Sequence, residues 1–224
     1  MSIESYENEA FGGTSTIIDS DTPFSKIPRE IRKHITGDYQ GAFEEPSRFF
    51  ETLASRATIP QMKQWLLTLA ECGECDLEYH DTKYAPPETI LRIPVVMDRG
   101  SMSGFGVSLP LGPPPENIPI ILRDVYALIG STHHWGYGES GGLVRLDFSD
   151  DDSRMSDASN HAKTAREQCV RFYENGHGDS LLFDKETGEA VAYDHEGDDL
   201  YLAGPIDEYV IRYFHTLLKR KFMS

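Results

Sequence analysis

Cysteine, long apolar runs and basic side chains are all scarce in this chain of 224 residues. Three cysteines are too few, and odd in number, for a disulfide framework, so a reducing cytoplasm is the expected compartment. No apolar run approaches the roughly 20 residues that a membrane span needs. The polar, acidic start at residues 1–7 is not typical of a secretory signal. The sequence therefore predicts a globular cytoplasmic protein without a membrane partner.

Acidic side chains outnumber basic ones by 37 to 21, which gives a formal net charge of −16. This charge disfavours nucleic acid and anionic membranes as partners, because both are themselves negative. It fits two remaining interpretations, solubility of the chain or attraction of a basic protein. The hydrophobic content of 39% is ordinary for a globular domain and is enough to form a core.

The stretch from Leu143 to Asp194 is predicted to form the centre of the fold, with the helices packed around it. Residues 143–148 alternate between apolar and polar side chains, as a half-buried strand does. Short runs bounded by glycine and aspartate then predict an antiparallel meander. Its parts are a strand at 169–174, a turn at 175–179, a strand at 181–183, a hairpin loop at 184–188 and a strand at 189–193.

Apolar side chains at helical spacing mark the helices, and glycine and proline mark the breaks between elements. We expect Gly130 to end a helix in the left-handed conformation, and Lys219, Arg220 and Lys221 to lie in the last turn of the final helix. Helices are predicted at residues 23–35, 45–55, 59–72 and 118–129 and from Asp207 onward.

Four prolines and a glycine in Pro110–Pro115 mark a candidate boundary, so the chain divides into residues 1–112, a mostly helical region, and residues 113–224. Within the first part, residues 1–22 are expected to be a loose arm with one short strand at Thr16–Ile18. Ile90–Met97 is expected to be an edge or bulged strand because Pro94 interrupts it. Gly100–Gly106 is predicted to be a loop.

Cys72 and Cys75 form a Cys-x-x-Cys pair that follows the end of a predicted helix. A reactive pair is expected at a helix N-terminus instead, where the dipole lowers the pKa of a thiol. A zinc site would need a second ligand pair, which the sequence does not supply nearby. The spacing is therefore interpreted as chance.

Two other groups of polar residues suggest chemistry. His133 and His134 are adjacent, and either one with Asp147 could serve a metal-dependent hydrolase, although neighbouring strand residues point to opposite faces. Asp147 could also open an acidic run whose other members are Asp150, Asp151 and Asp152. That run does not match a calcium loop, which needs Gly and Glu where Asp152 and Ala158 stand. No catalytic motif, cofactor motif or metal site is predicted.

After residue 113, a helix at Ile118–Tyr126 leads to a glycine-rich loop with Trp135. The turn with Gly176, Gly178 and Asp179 starts a strand, and a hairpin and a final helix follow. This order of features resembles the SUKH superfamily, which includes bacterial toxin-immunity proteins and yeast regulators of cell-wall synthesis. The resemblance covers about residues 113–222 and implies an α+β fold with a mixed, mainly antiparallel sheet flanked by helices.

The resemblance also implies a role without catalysis, namely binding and neutralising a cognate toxin protein that acts on nucleic acid. The net charge agrees, because an acidic inhibitor suits a basic cleft. The alternatives are a regulatory scaffold without a toxin and, less favoured, the hydrolase. An edge strand would also allow a homodimer. The expected contact surface combines aromatic anchors with an acidic rim: Trp135, Tyr137, Glu139, Asp147, Asp150, Asp151 and Asp152.

Overall fold

The chain is described by a computed structural model that covers residues 2–8, 13–35, 37–81, 87–96, 102–110, 112–135, 141–144, 146, 168–219 and 221–222. Within these ranges the protein contains six α-helices and two antiparallel sheets, which confirms the α+β class. The helices are α1 Arg29–Arg32, α2 Gly37–Glu44, α3 Pro46–Arg56, α4 Pro60–Cys72, α5 Ile120–Tyr126 and α6 Ile206–Leu217.

The larger sheet has seven strands. Its first six pair in chain order, and the last one pairs with β4. Every pairing is antiparallel, although the connection from β2 to β3 contains four helices and that from β5 to β6 contains α5. The strands are β1 Ile3–Asn8, β2 Gly13–Ile18, β3 Asp76–Asp81, β4 Glu88–Val96, β5 Met102–Ser108, β6 Ser131–Trp135 and β12 Lys221–Phe222.

The smaller sheet has five strands in the order β11-β10-β9-β8-β7. The predicted meander at 169–193 is confirmed, whereas only the first residue of the predicted strand at 143–148 is described as strand. Of that segment, residues 145, 147 and 148 lie outside the described ranges. The strands are β7 Gly142–Leu143, β8 Cys169–Glu174, β9 Ser180–Asp184, β10 Ala190–Asp194 and β11 Asp199–Gly204.

Two regions that were predicted to be irregular contain strands. The short strand predicted at Thr16–Ile18 is confirmed as part of β2, but the remainder of residues 1–22 is not only a loose arm, because β1 pairs with β2. The hydroxyls of Ser5 and Thr16 are 2.9 Å apart across these two strands. Residues 102–108 form β5, with Phe105 and Val107 fully buried. Both segments are rich in polar or glycine residues and lack the alternation of apolar and polar side chains that predicts a strand. They form strands because neighbouring strands pair with them.

The predicted edge strand around Pro94 lies inside the sheet, between β3 and β5. β3 pairs with β4 only as far as Arg92, and β12 begins its pairing at Val95. Pro94 therefore lies in β4 between the end of its pairing with β3 and the start of its pairing with β12. This gap explains how a proline, which lacks a backbone N–H, is accommodated in an inner strand. The pairing with β5 runs through Pro94 without a register shift.

The predicted helices at 45–55 and 59–72 are confirmed as α3 and α4. The stripe of α4 is buried, and its Trp65 ring lies 5.6 Å from the ring of Phe105 and 5.5 Å from that of Phe214. Trp65 thus joins α4, β5 and α6. The helix predicted over 23–35 is only a 3-10 turn at Phe24–Lys26 followed by α1, because Pro28 keeps Ile27 in an extended conformation.

Two predicted helix ends are wrong. Gly130 is not left-handed; its N–H donates to the carbonyl of Ser108 at 2.7 Å, and a Cβ there would lie 2.7 Å from the carbonyl oxygen of Leu109. Glycine is required at this position by a close backbone approach. The final helix ends at Leu217, so Lys219 and Lys221 lie beyond it and His215 is the basic residue of its last turn.

One buried apolar cluster contains side chains from both sides of the predicted boundary at residue 112, among them Trp65, Phe105, Phe172 and Phe214. β5 and β6 also pair across that boundary. Residues 1–112 contribute five strands as well as four helices, so the description of this part as mostly helical is wrong. The largest buried side chains come from both halves, and the segment Leu143–Asp194 is one part of the core and not its centre.

Candidate functional site

The predicted contact surface remains a prediction. The backbone of Trp135 ends β6, in register with Gly104 of β5. The other residues of the predicted surface lie outside the described ranges: Tyr137, Glu139, Asp147, Asp150, Asp151 and Asp152.

Gly176, Gly178 and Asp179 form the turn between β8 and β9. Both glycines have left-handed φ values, 77° and 105°. The side chain of Asn175 closes the turn, since its oxygen accepts from the N–H groups of His177 and Asp179 at 2.8 and 3.1 Å. A Cβ on Gly178 would lie 2.6 Å from the imidazole of His195. These contacts form a tight turn, and Gly178 of this turn packs against His195 of the turn between β10 and β11.

Cys72 and Cys75 are free and buried. Burial, with a smaller effect of the Glu71 carboxylate, raises the pKa of Cys72 to about 11. Burial also raises the pKa of Cys75. Left-handed Gly73 ends α4 between the two cysteines. High pKa values favour the inert thiol over the thiolate that redox or metal chemistry requires. Across the part of the chain that the structure describes, no group of three or more His, Cys, Asp or Glu is arranged to hold a metal ion.

His133 belongs to a hydrogen-bonded group on the larger sheet. The hydroxyl of Ser108 donates to Glu88 at 2.6 Å and lies 2.8 Å from the hydroxyl of Ser131. That second hydroxyl is 2.9 Å from Nε2 of His133, and Glu88 is 3.8 Å from the same nitrogen. The structure therefore brings His133 to a glutamate of β4, a neighbour that the hydrolase hypothesis did not include.

A second group of the same kind adjoins the first on β1 to β3. Nδ1 of His80 lies 2.8 Å from the hydroxyl of Ser15, and its Nε2 lies 3.6 Å from Glu78. Tyr6 donates to the same carboxylate at 2.7 Å. In the register of the sheet, His80 stands directly opposite Glu88, which links the two groups. We call the eight residues the polar row: Tyr6, Ser15, Glu78, His80, Glu88, Ser108, Ser131 and His133.

Serine, histidine and glutamate are the residue types of nucleophilic hydrolysis, but burial argues for a structural role here. Ser15 and Ser108 are 0% exposed and Ser131 is 1% exposed. Burial lowers the pKa of His80 against the opposing effect of Glu78 and Glu88, which favours the neutral imidazole. A nucleophilic hydroxyl must reach its substrate. The polar row instead joins its buried members, Ser15, Glu78, Ser108 and Ser131, to polar side chains of neighbouring strands.

A strongly acidic stretch of the chain lies elsewhere, in residues 186–211, which we call the acidic segment. It contains no lysine or arginine and accounts for −8 of the net charge of −16. Its tip, the β10–β11 turn, is exposed at His195 and Glu196, and the first turn of α6 is exposed at Asp207 and Glu208. The acidic residues are Glu186, Glu189, Asp194, Glu196, Asp198, Asp199, Asp207 and Glu208.

Strand β11 lies within the acidic segment and exposes two large side chains, Tyr201 at 56% and Leu202 at 67%. A groove of about 430 Å³ runs beside Tyr201. The residues that line it include the aromatic Tyr173 and Tyr201, the apolar Leu181 and Ala192, and the acidic Asp194 and Glu196. An exposed aromatic ring beside carboxylates is suited to a cationic side chain.

The sequence indicates one part of the acidic segment, the acidic loop of His195 and Glu196 with Asp198 and Asp199, but it was not predicted to be a binding surface. The signal of the whole segment is local, since no lysine or arginine stands between Lys185 and Arg212. The polar row has no local signal in the sequence, because its residues lie on strands that become neighbours only when the sheet forms. Comparison with known proteins adds no relative: no family model, curated protein or solved structure matches this chain. No helix in the described ranges is long and apolar enough to span a membrane.

Proposed function

We propose that the protein is a non-enzymatic binding module of the immunity type, which binds and neutralises a basic, nucleic-acid-targeting toxin protein. The observation that carries this proposal is the acidic segment, a stretch of chain that contains eight carboxylates, no lysine or arginine, and the exposed side chains of Tyr201 and Leu202. A toxin that acts on nucleic acid needs a basic surface. An acidic surface with aromatic and apolar anchors complements such a surface in both charge and contact chemistry.

The acidic segment takes the place of the patch at residues 135–152 as the surface that we assign to the partner. Its acidic side chains at Glu196, Asp199, Asp207 and Glu208 are exposed at the two ends of β11, and its apolar side chains lie between them. This arrangement of apolar centre and charged rim is the usual anatomy of a protein interface. Charge at the rim mainly speeds association, and the apolar centre slows dissociation.

The test begins with tagged protein and a lysate of the source organism, washed at low and then at high salt. A basic protein that elutes at high salt is then expressed in a heterologous host with and without this chain. We expect growth arrest without the chain and rescue with it. A partner that is harmless alone would contradict neutralisation and favour the regulatory scaffold. Absence of any salt-sensitive partner would contradict the proposed function.

A matched pair of variants tests whether the partner binds at the acidic segment. Glu196→Lys with Glu208→Lys reverses charge in the acidic segment, and Glu4→Lys with Glu7→Lys makes the same change in net charge on exposed residues of β1. We expect the association rate with the captured partner to fall by roughly tenfold in the first variant. The second variant should stay close to the unmodified protein. An equal fall in both would show that only overall charge matters.

A further inference from the structure

β11 is the last strand of the smaller sheet, and no other described strand pairs with its outer edge. An edge strand presents unpaired N–H and C=O groups, which can pair with another chain. Proteins usually protect such an edge with lysine, with proline or with a bulge. From Asp199 to Leu202, β11 contains neither lysine nor proline.

The features that protect the edge of β11 lie only at the C-terminal end of this strand, at Ala203. The register with β10 shifts between Ala190 and Val191, which leaves Ala203 as the extra residue of β11. The hydroxyl of Tyr209 donates to the carbonyl of Ala203 at 2.7 Å, so α6 covers this point of the strand. The segment Leu200–Leu202 precedes the shift and pairs regularly with β10. It therefore offers a regular edge for a further strand.

We infer that an extended basic segment of the partner adds to the edge of β11 as an antiparallel strand. This inference rests on the proposed function and names the partner's binding element. Strand addition supplies main-chain hydrogen bonds for affinity and side-chain contacts for specificity. The occupant is basic because exposed carboxylates flank this edge in the chain, Glu196 before β11 and Asp207 and Glu208 after it. A second copy of this chain would bring like charges together at those same ends, which disfavours self-pairing.

The two faces of β11 specify the side-chain pattern of the added strand. Tyr201 lies opposite Ala192, on the face that carries the acidic groove. Leu200 and Leu202 alternate with it and lie opposite Tyr193 and Val191, on an apolar face. Side chains of an added strand alternate in the same way. A segment of alternating basic and apolar residues therefore places its basic side chains towards the groove and its apolar ones beside Leu202.

The first test uses the full chain and the peptide Arg-Val-Arg-Val-Arg-Val, whose affinity is measured by fluorescence anisotropy at physiological salt. A version with N-methyl groups on alternate backbone nitrogens keeps the charge and removes the strand donors. We expect the N-methylated peptide to bind roughly tenfold more weakly. Amide hydrogen exchange should slow at residues 199–202 when the unmodified peptide binds. Equal affinities, or slowing at β1 and not at β11, would overturn the inference.

The second test uses two variants with the same change in charge. Leu202→Lys places a cation at the edge, and Ile120→Lys alters a side chain that is 73% exposed on α5. We expect Leu202→Lys to weaken peptide binding by about tenfold and Ile120→Lys to change it little. Equal effects would mean attraction by overall charge alone. Concentration-dependent protection of residues 199–202 without peptide would identify a second copy as the occupant and refute the basic segment.

The two proposals can fail separately. If the captured toxin is neutralised but the N-methylated peptide binds as well as its parent, the protein is an immunity module that does not use strand addition. If the peptide adds to β11 but no toxin is neutralised, the edge is a docking site of a different kind of binding module.

Discussion

The carboxylate of Asp179 accepts a hydrogen bond from the backbone N–H of His195, with an oxygen–nitrogen distance of 3.0 Å. Its other oxygen accepts from the side-chain amide of Asn175 at 2.8 Å. Asp179 follows the β8–β9 turn, and His195 opens the β10–β11 turn. One side chain therefore connects two turns at the same end of the smaller sheet and positions the tip of the acidic segment.

Removal of this connection should lower stability. Asp179→Ala loses both side-chain hydrogen bonds, and we expect the free energy of unfolding to fall by about 1–3 kcal/mol. Asp179→Asn keeps an oxygen for the N–H of His195 but cannot accept from the amide of Asn175, so it should lose less. Urea unfolding measures both variants, and exchange of the His195 amide should quicken only in Asp179→Ala. Equal losses would show that the bond to His195 contributes nothing.

Gly178 should tolerate no side chain. Its φ of 105° disfavours other residues, and a Cβ would lie 2.6 Å from the ring of His195. We expect Gly178→Ala to reduce the free energy of unfolding by more than about 2 kcal/mol. Gly41→Ala, at a helical position with no atom within 4 Å of the new Cβ, should be neutral or slightly stabilising.

A second substitution separates backbone strain from the clash. Adding His195→Ala to Gly178→Ala removes the ring atoms that the new Cβ would meet and leaves the φ unchanged. Thermal or urea unfolding of the double variant should show partial recovery of stability. Full recovery would mean that the backbone carries no strain, and no recovery would mean that the ring moves away freely.

Local signals explain which elements the sequence could predict. The stripe of α4 and the turn with Gly176 and Gly178 are each encoded within a few consecutive residues, and both were predicted correctly. β1 and β5 carry polar or glycine residues whose pairing is set by distant strands. A single sequence does not show those partners, so both strands were missed.

The same contrast applies to the candidate sites. His80 and His133 lie far apart in the sequence, and only the pairing of β3 to β6 makes them neighbours of Glu88. No spacing rule could have found the polar row. The acidic segment could have been found, because the run from Glu186 to Ile211 without a lysine or arginine is visible in the sequence. What the sequence could not show is that β11 would be an edge strand.

The cysteines should be unreactive in the folded protein. A pKa of about 11 for Cys72, against an ordinary 9.0, reduces its thiolate by roughly a hundredfold, and burial also blocks access. At neutral pH we expect iodoacetamide to modify Cys72, Cys75 and Cys169 slowly in the native state and all three rapidly in urea. Mass spectrometry of timed samples measures the difference. Rapid native labelling of Cys72 or Cys75 would contradict the interpretation of the Cys-x-x-Cys spacing as chance.

His80 should make stability depend on pH. Burial lowers its pKa below the ordinary 6.5, although Glu78 and Glu88 act in the opposite direction and His133 adds to the lowering. Below pH 6.5 the unfolded chain takes up a proton that the folded protein resists. The free energy of unfolding should therefore fall as the pH decreases from 6.5, by at most about 1.4 kcal/mol per pH unit for one group. Above 6.5 the contribution is constant.

The contribution of His80 is isolated by comparison with His80→Gln, because many carboxylates also titrate in acid. Urea unfolding between neutral pH and pH 5 should give a shallower loss of stability in this variant than in the unmodified protein. His215→Gln, at an exposed position of α6, should follow the unmodified protein and controls for loss of a histidine. Parallel curves for His80→Gln and the unmodified protein would mean that burial does not resist protonation of this imidazole. The polar row would then tolerate a charged His80, and the neutral form of this imidazole would have to be abandoned.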